Sequence, residues 1–237
     1  HLSIRRQRQM CIRDRIYTGK NKKGEADVKF VTKKTSDLLE SLVKEALLDG
    51  RKPGDNKFIF KSTDGTAIHS SVANAISKQL FGKNLRAFRY SLTEYAIKEY
   101  GIKSEQYKIA HKLQQAHKQD IKDFYDAYGD KFATRTAVRK FLKRYYKDVK
   151  DGSYKQIKGK KGFTSKQLTK GLEKIEGMKD TDIMKFKYKD NPKAKTFKTT
   201  EINGKTLKAM FRYAIEGGSR TNEICLLYTS PSPRDQR

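Results

Sequence analysis

Apolar residues return near a 3.6-residue period in three separate stretches of this chain. The sets are Leu38, Leu39, Leu42, Val43, Ala46 and Leu47; then Leu85, Phe88, Leu92, Tyr95, Ala96 and Tyr100; then Leu207, Met210, Phe211, Ala214 and Ile215. That period puts each set on one side of a helix, and each side needs a neighbour to bury it. The core must therefore be built by helices packing on helices. Strand-like sequence is short by comparison: Ile16-Tyr17-Thr18 and Ala26-Asp27-Val28-Lys29-Phe30-Val31 flank the polar turn Gly19-Lys20-Asn21-Lys22-Lys23-Gly24 and read as a hairpin. The expected fold class is α+β, mainly α-helical with one small β element.

Local signals place the boundaries. Thr35-Ser36-Asp37 is a good N-cap cluster for a first helix that stops at Asp49-Gly50, and Lys52-Pro53-Gly54-Asp55 follows as a turn. Phe58-Ile59-Phe60 reads as a short extended piece. Ser70-Ser71 caps a helix carrying Val72, Ala75, Ile76 and Leu80, and the next helix runs from Lys83 to Tyr100. Further helices are expected at about 104–117, 119–128 and 134–148. Residues 149–162 are Gly/Lys-rich and read as a linker, after which Thr164–Ile175 is helical and Asn203 caps a last helix. No internal repeat is visible.

The two ends carry a different kind of signal. Read back into codons, Arg5-Arg6-Gln7-Arg8-Gln9-Met10-Cys11-Ile12-Arg13-Asp14 and Cys225-Leu226-Leu227-Tyr228-Thr229-Ser230-Pro231-Ser232-Pro233-Arg234-Asp235 resemble the two ends of a transposon-based sequencing-library adaptor read in frame. Residues 1–15 and 225–237 are therefore expected to be adaptor-derived and not biological. Both cysteines, Cys11 and Cys225, fall there, so residues 16–224 offer no thiol for a disulfide or a metal. These ends also carry seven arginines and two aspartates, so 16–224 keep +22 of the formal +27.

A basic excess of this size is the footprint of a nucleic-acid binder, because each Lys or Arg that neutralises a phosphate releases condensed counterion. Lysine-rich codon bias is the competing cause. No run of 18 apolar residues exists, which excludes a membrane-spanning helix from the reading. A hydrophobic fraction of 35% predicts only a modest core, and residues 16–224, open at both ends, are not assumed to fold alone.

Four motifs suggest finer chemistry. They are Ile16-Tyr17-Thr18-Gly19-Lys20-Asn21-Lys22-Lys23; Lys83-Asn84-Leu85-Arg86-Ala87-Phe88-Arg89-Tyr90-Ser91; Ile109-Ala110-His111-Lys112-Leu113-Gln114-Gln115-Ala116-His117-Lys118; and Phe124-Tyr125-Asp126-Ala127-Tyr128. In this order, over about residues 16–130, they resemble the catalytic core of type IB DNA topoisomerases and the related tyrosine recombinases, here incomplete. The resemblance implies double-stranded DNA as the partner and no cofactor or metal. It implies that Lys20, on a hairpin tip, protonates the leaving 5′ oxygen, and that Arg86 grips the scissile phosphate as a bidentate fork beside Lys83. His117, or alternatively His111, would contact the same phosphate. Tyr125, or alternatively Tyr128, would be the nucleophile that forms a 3′-phosphotyrosine. A lysine at position 83, where recombinases usually have histidine, tilts the resemblance toward topoisomerase and DNA relaxation.

One family element is out of order. The family's first arginine normally precedes the hairpin lysine in a helix–Gly-x-Arg-x-x-Glu setting, and here Gly218-Ser219-Arg220-Thr221-Asn222-Glu223 supplies that box near the C-terminal end. Arg220 would then belong to the same kind of site. A chimeric joining explains the order best, ahead of coincidence in an unrelated segment 163–224; two tandem genes read through are the third explanation. The rival from another class is a non-enzymatic lysine-rich nucleic-acid-binding domain, in which the same cations merely contact phosphates.

Overall fold

The computed structural model describes residues 15–20, 26–48, 59–114, 132–154, 161–189 and 193–217. Among these, seven helices and four strands follow in the order β1 (Arg15–Lys20), β2 (Ala26–Phe30), α1 (Lys33–Leu48), α2 (Ser70–Phe81), α3 (Arg86–Tyr100), α4 (Glu105–Gln114), α5 (Phe132–Lys150), α6 (Ser165–Glu176), β3 (Ile183–Tyr188), β4 (Lys198–Asn203) and α7 (Gly204–Gly217). The chain is thus mainly helical with small antiparallel sheets. The first hairpin pairs Ile16 with Lys29 and Tyr17 with Val28, with an irregularity between Thr18 and Lys20. A second two-stranded sheet, β3 with β4, was not expected; it pairs Lys185 with Glu201 and Phe186 with Thr200.

α7 is the hub of the core. Its residues Leu207, Ala209, Met210, Phe211, Tyr213, Ala214 and Ile215 are all fully buried, and it packs against α1, α3, α5, α6 and β4. Burial on nearly every side, with only Lys205 and Lys208 half-buried, marks a central element packed by its neighbours all round. The middle of the core is aromatic. Phe81, Phe88, Phe163 and Phe211 are each at most 1% exposed; Phe88 lies 4.5 Å from Phe163 and Phe81 4.9 Å from Phe211, centroid to centroid. Gly171 of α6 lets Phe81 approach, since a Cβ there would stand 2.2 Å from the Phe81 ring.

A second aromatic group joins α3 to α5. Tyr95 packs on Tyr145 at 4.8 Å and on Tyr154 at 6.2 Å, and its hydroxyl donates to Asp148 Oδ2 at 2.6 Å. Within the segment read as a linker, Tyr154 is 1% exposed and its hydroxyl donates to Ser91 O at 3.4 Å. Gly162 N–H donates to Glu94 Oε1 at 3.0 Å and Phe163 N–H to Ser91 Oγ at 2.8 Å. Residues on both sides of 149–162 thus contribute to a single buried cluster.

The caps divide between expected and unexpected. Asn203 Oδ1 accepts from Thr206 N–H at 2.8 Å, as its position before the last helix predicts. Thr164 and Gln167 form a reciprocal capping box at the start of α6. The cluster Thr35-Ser36-Asp37 does not cap α1, which begins two residues earlier; Thr35 is buried and its hydroxyl donates to Glu216 Oε1 at 2.8 Å. The second helix is preceded by His69, with no side-chain cap, in place of Ser70-Ser71.

Candidate nucleic-acid interface

The sharp turn between α2 and α3 builds the site. α2 ends at Gly82, whose φ of +80° is left-handed and whose N–H donates to Lys78 O at 2.9 Å. A side chain would be strained there and would also meet the Gln167 amide at 2.9 Å. Two side chains of α2 fix the next residues: Ser77 Oγ donates to Lys83 O at 2.7 Å and Asn74 Oδ1 accepts from Leu85 N–H at 3.2 Å. Leu85 is fully buried, so the turn is nailed to the core and α3 must start at Arg86.

This turn opens on a hollow of about 500 Å³ lined by Lys78, Lys83, Asn84, Arg86, Ala87, Tyr90 and Lys161. Four of the seven are cations and none is acidic. Arg86 and Tyr90 are one turn apart on α3, with the guanidinium 5.8 Å from the ring centroid; the Lys161 ammonium lies 6.0 Å from the same ring. The Lys83 ammonium donates a short hydrogen bond to Gly162 O, which ties the 161–163 segment to the turn and holds Lys161 at the rim. The first turn of α3 has no acidic residue, so the positive end of its dipole adds to the field.

Such a hollow can hold an anion with a forked guanidinium, ammonium point charges and a phenol face. Its lining offers no carboxylate or imidazole to move a proton. Among the described residues no group of three or more His, Cys, Asp or Glu is placed to hold a metal ion, and no helix is long and apolar enough to cross a membrane.

No protein-family model, curated protein or solved structure matches this chain. Of the residues singled out from sequence, Lys83 and Arg86 come together at the hollow. Lys20 ends β1, its backbone paired with Ala26, and its side chain lies outside the described residues. His117, Tyr125 and Arg220 lie outside the described residues, as does Tyr128. His111 is half-buried on α4 with its ring 5.7 Å from that of Tyr107.

Three lining residues were not foreseen: Lys78, Tyr90 and Lys161. Tyr90 carried a signal, since it follows Arg86 by four and must share its side of the helix. Lys78 and Lys161 carried none. They reach the hollow through the Gly82 turn and the Lys83–Gly162 hydrogen bond, which are tertiary features.

Proposed function

We propose that this chain binds double-stranded DNA through its phosphate backbone at the α2–α3 hollow. The observation that carries the reading is the convergence of Lys78, Lys83, Arg86 and Lys161 on one cavity with no acid among its lining residues. The large basic excess of the sequence supports it. The test is the salt dependence of binding to a 20-base-pair duplex. Lys78→Gln, Arg86→Gln and Lys161→Gln together should lower the slope of log K against log salt by about 2.7, from roughly 0.9 per lost phosphate contact. Lys83 is left intact because it also holds Gly162 O. An unchanged slope sinks the reading.

A second reading places strand breakage and rejoining at the same hollow, of the type IB topoisomerase kind or the related tyrosine recombinase kind. It is favoured by Lys83 and Arg86 opening together on the cavity, with the spacing that the family resemblance requires. The Tyr125 oxygen would attack the phosphorus, leaving a 3′-phosphotyrosine; the 5′ oxygen would depart with a proton from Lys20, and religation would reverse the step without ATP because the ester bond energy is conserved. With a nicked duplex, covalent capture on a denaturing gel should be lost on Tyr125→Phe while salt-sensitive binding persists. No capture by the unsubstituted chain leaves a DNA binder only. Capture that survives Tyr125→Phe and disappears with Tyr90→Phe moves the nucleophile into the hollow itself.

A further inference from the structure

The second hairpin carries charge that the hollow does not use. Between Lys185 and Lys198 the chain has six lysines, one acid and no arginine. Strand alternation sorts them. Phe186 of β3 is buried, with Met184 and Tyr188 half-buried against the core, while Ile183, Lys185 and Lys187 are exposed on the other side. The register sets Lys187 opposite Thr199 and Lys185 opposite Glu201, with which it forms a 2.8 Å ion pair. Toward the tip, Lys189 sits 4.8 Å over the Phe197 ring, and Phe197 is 64% exposed.

The hairpin is joined to the hollow through one helix. Gln79 Nε2 donates to Lys187 O at 2.8 Å, and its neighbour Lys78 lines the hollow. We infer that β3–β4 is a second DNA-contacting element, a lysine-faced ribbon that extends the phosphate track from the hollow along a B-form duplex. This rests on the DNA-binding reading above. Two strands about 4.8 Å apart and roughly 20 Å long fit a B-form major groove about 12 Å wide. The deep, narrow major groove of A-form RNA excludes such a ribbon. Lysines act as point charges without a forked geometry, so the contacts are chiefly to phosphates and carry little base preference.

The test uses the full 237-residue chain and three triple variants: Lys187→Gln/Lys189→Gln/Lys195→Gln on the hairpin; Lys78→Gln/Arg86→Gln/Lys161→Gln at the hollow; and Lys140→Gln/Lys143→Gln/Lys147→Gln on the exposed side of α5 as an equal loss of charge elsewhere. Each is first shown to melt within a few degrees of the parent. For a 20-base-pair DNA duplex the hairpin variant should lose about 2.7 from the salt slope, at roughly 0.9 per contact, and more than about tenfold in affinity at 0.1 M salt, while the α5 variant keeps the parent slope. Equal losses in the hairpin and α5 variants overturn the inference, as would an A-form RNA duplex responding to the hairpin variant as strongly as DNA. A hairpin variant that binds like the parent while the hollow variant fails overturns the ribbon and leaves the hollow reading standing. The reverse pattern overturns the hollow reading, and with it the ribbon as an extension of the hollow, and leaves β3–β4 as a DNA contact of its own.

Discussion

Arg212→Met should destabilise the fold by about 3–5 kcal/mol at pH 8 and by distinctly less at pH 5. The guanidinium is 7% exposed and sits where α1, α5, α6 and α7 meet. It donates to Glu176 Oε1 at 3.1 Å, to Glu216 Oε1 at 3.4 Å and to Thr35 Oγ1 at 3.2 Å, and it covers the Tyr146 ring at 3.9 Å. Glu216 is fully buried and accepts from Thr32 N–H at 2.8 Å, from the Thr32 hydroxyl and from the Thr35 hydroxyl. Removing one partner of a buried pair leaves the other charge uncompensated, which costs several kcal/mol.

The sign of the pH dependence follows from Glu216. Burial pushes its carboxyl above the ordinary 4.5, and Arg212 is the largest opposing influence. Without that cation the folded-state value rises further. A raised folded value means the protonated form favours folding, so the deficit is full above the variant's folded value and shrinks as pH falls through it toward the parent's own, lower folded value. Glu176 behaves oppositely: burial pushes it up, yet the Tyr146 hydroxyl, Arg212 and Lys34 hold it below 4.5, so its contribution is lost only in a more acidic window. Urea denaturation at the two pH values measures the difference. A deficit that is equal at pH 5 and pH 8 would show that Glu216 is not the buried charge responsible.

What could be read from the sequence was the local physics. Helices with a one-sided apolar period appear where expected, as at Phe88, Leu92 and Tyr95, and so does the Asn203 cap, which needs only neighbouring residues. What failed was local chemistry overruled from a distance. Thr35 has the side chain of a cap, but a buried carboxylate 181 positions away needs its hydroxyl more. The β3 strand, not expected from the sequence, does carry a strand signal in Met184-Lys185-Phe186-Lys187-Tyr188, which alternates cleanly. Its partner Lys198–Asn203 buries Ile202 alone, and the connection carries no tight two-residue turn to announce a hairpin. The hollow was half legible, because Lys83, Arg86 and Tyr90 are close in sequence while Lys161 arrives through Gly162.

Phe88→Ala and Phe211→Ala should each cost about 3–5 kcal/mol, the range for removing a buried phenyl ring from a well-packed core. The double variant should depart from additivity by about 0.5–3 kcal/mol, since both rings border Phe81 and their centroids are 5.9 Å apart. Phe88 lies in the part of the chain that carries the Lys83–Arg86 motif, and Phe211 lies in the segment that ends near Arg220. A joint core makes the two regions unfold as one. The chain has no tryptophan and thirteen tyrosines, ten of them before residue 163, so tyrosine fluorescence is weighted toward that part of the chain, where Tyr95, Tyr145 and Tyr154 cluster around α3 and α5. Phe211→Ala should therefore shift the tyrosine transition and the helical transition together, to the same denaturant midpoint. If the tyrosine midpoint stays fixed while part of the helical signal melts early, residues 163–217 form an independent unit, and a joining of two unrelated pieces regains its force. If the midpoints move together, the aromatic centre is one folding unit drawn from both sides of 149–162.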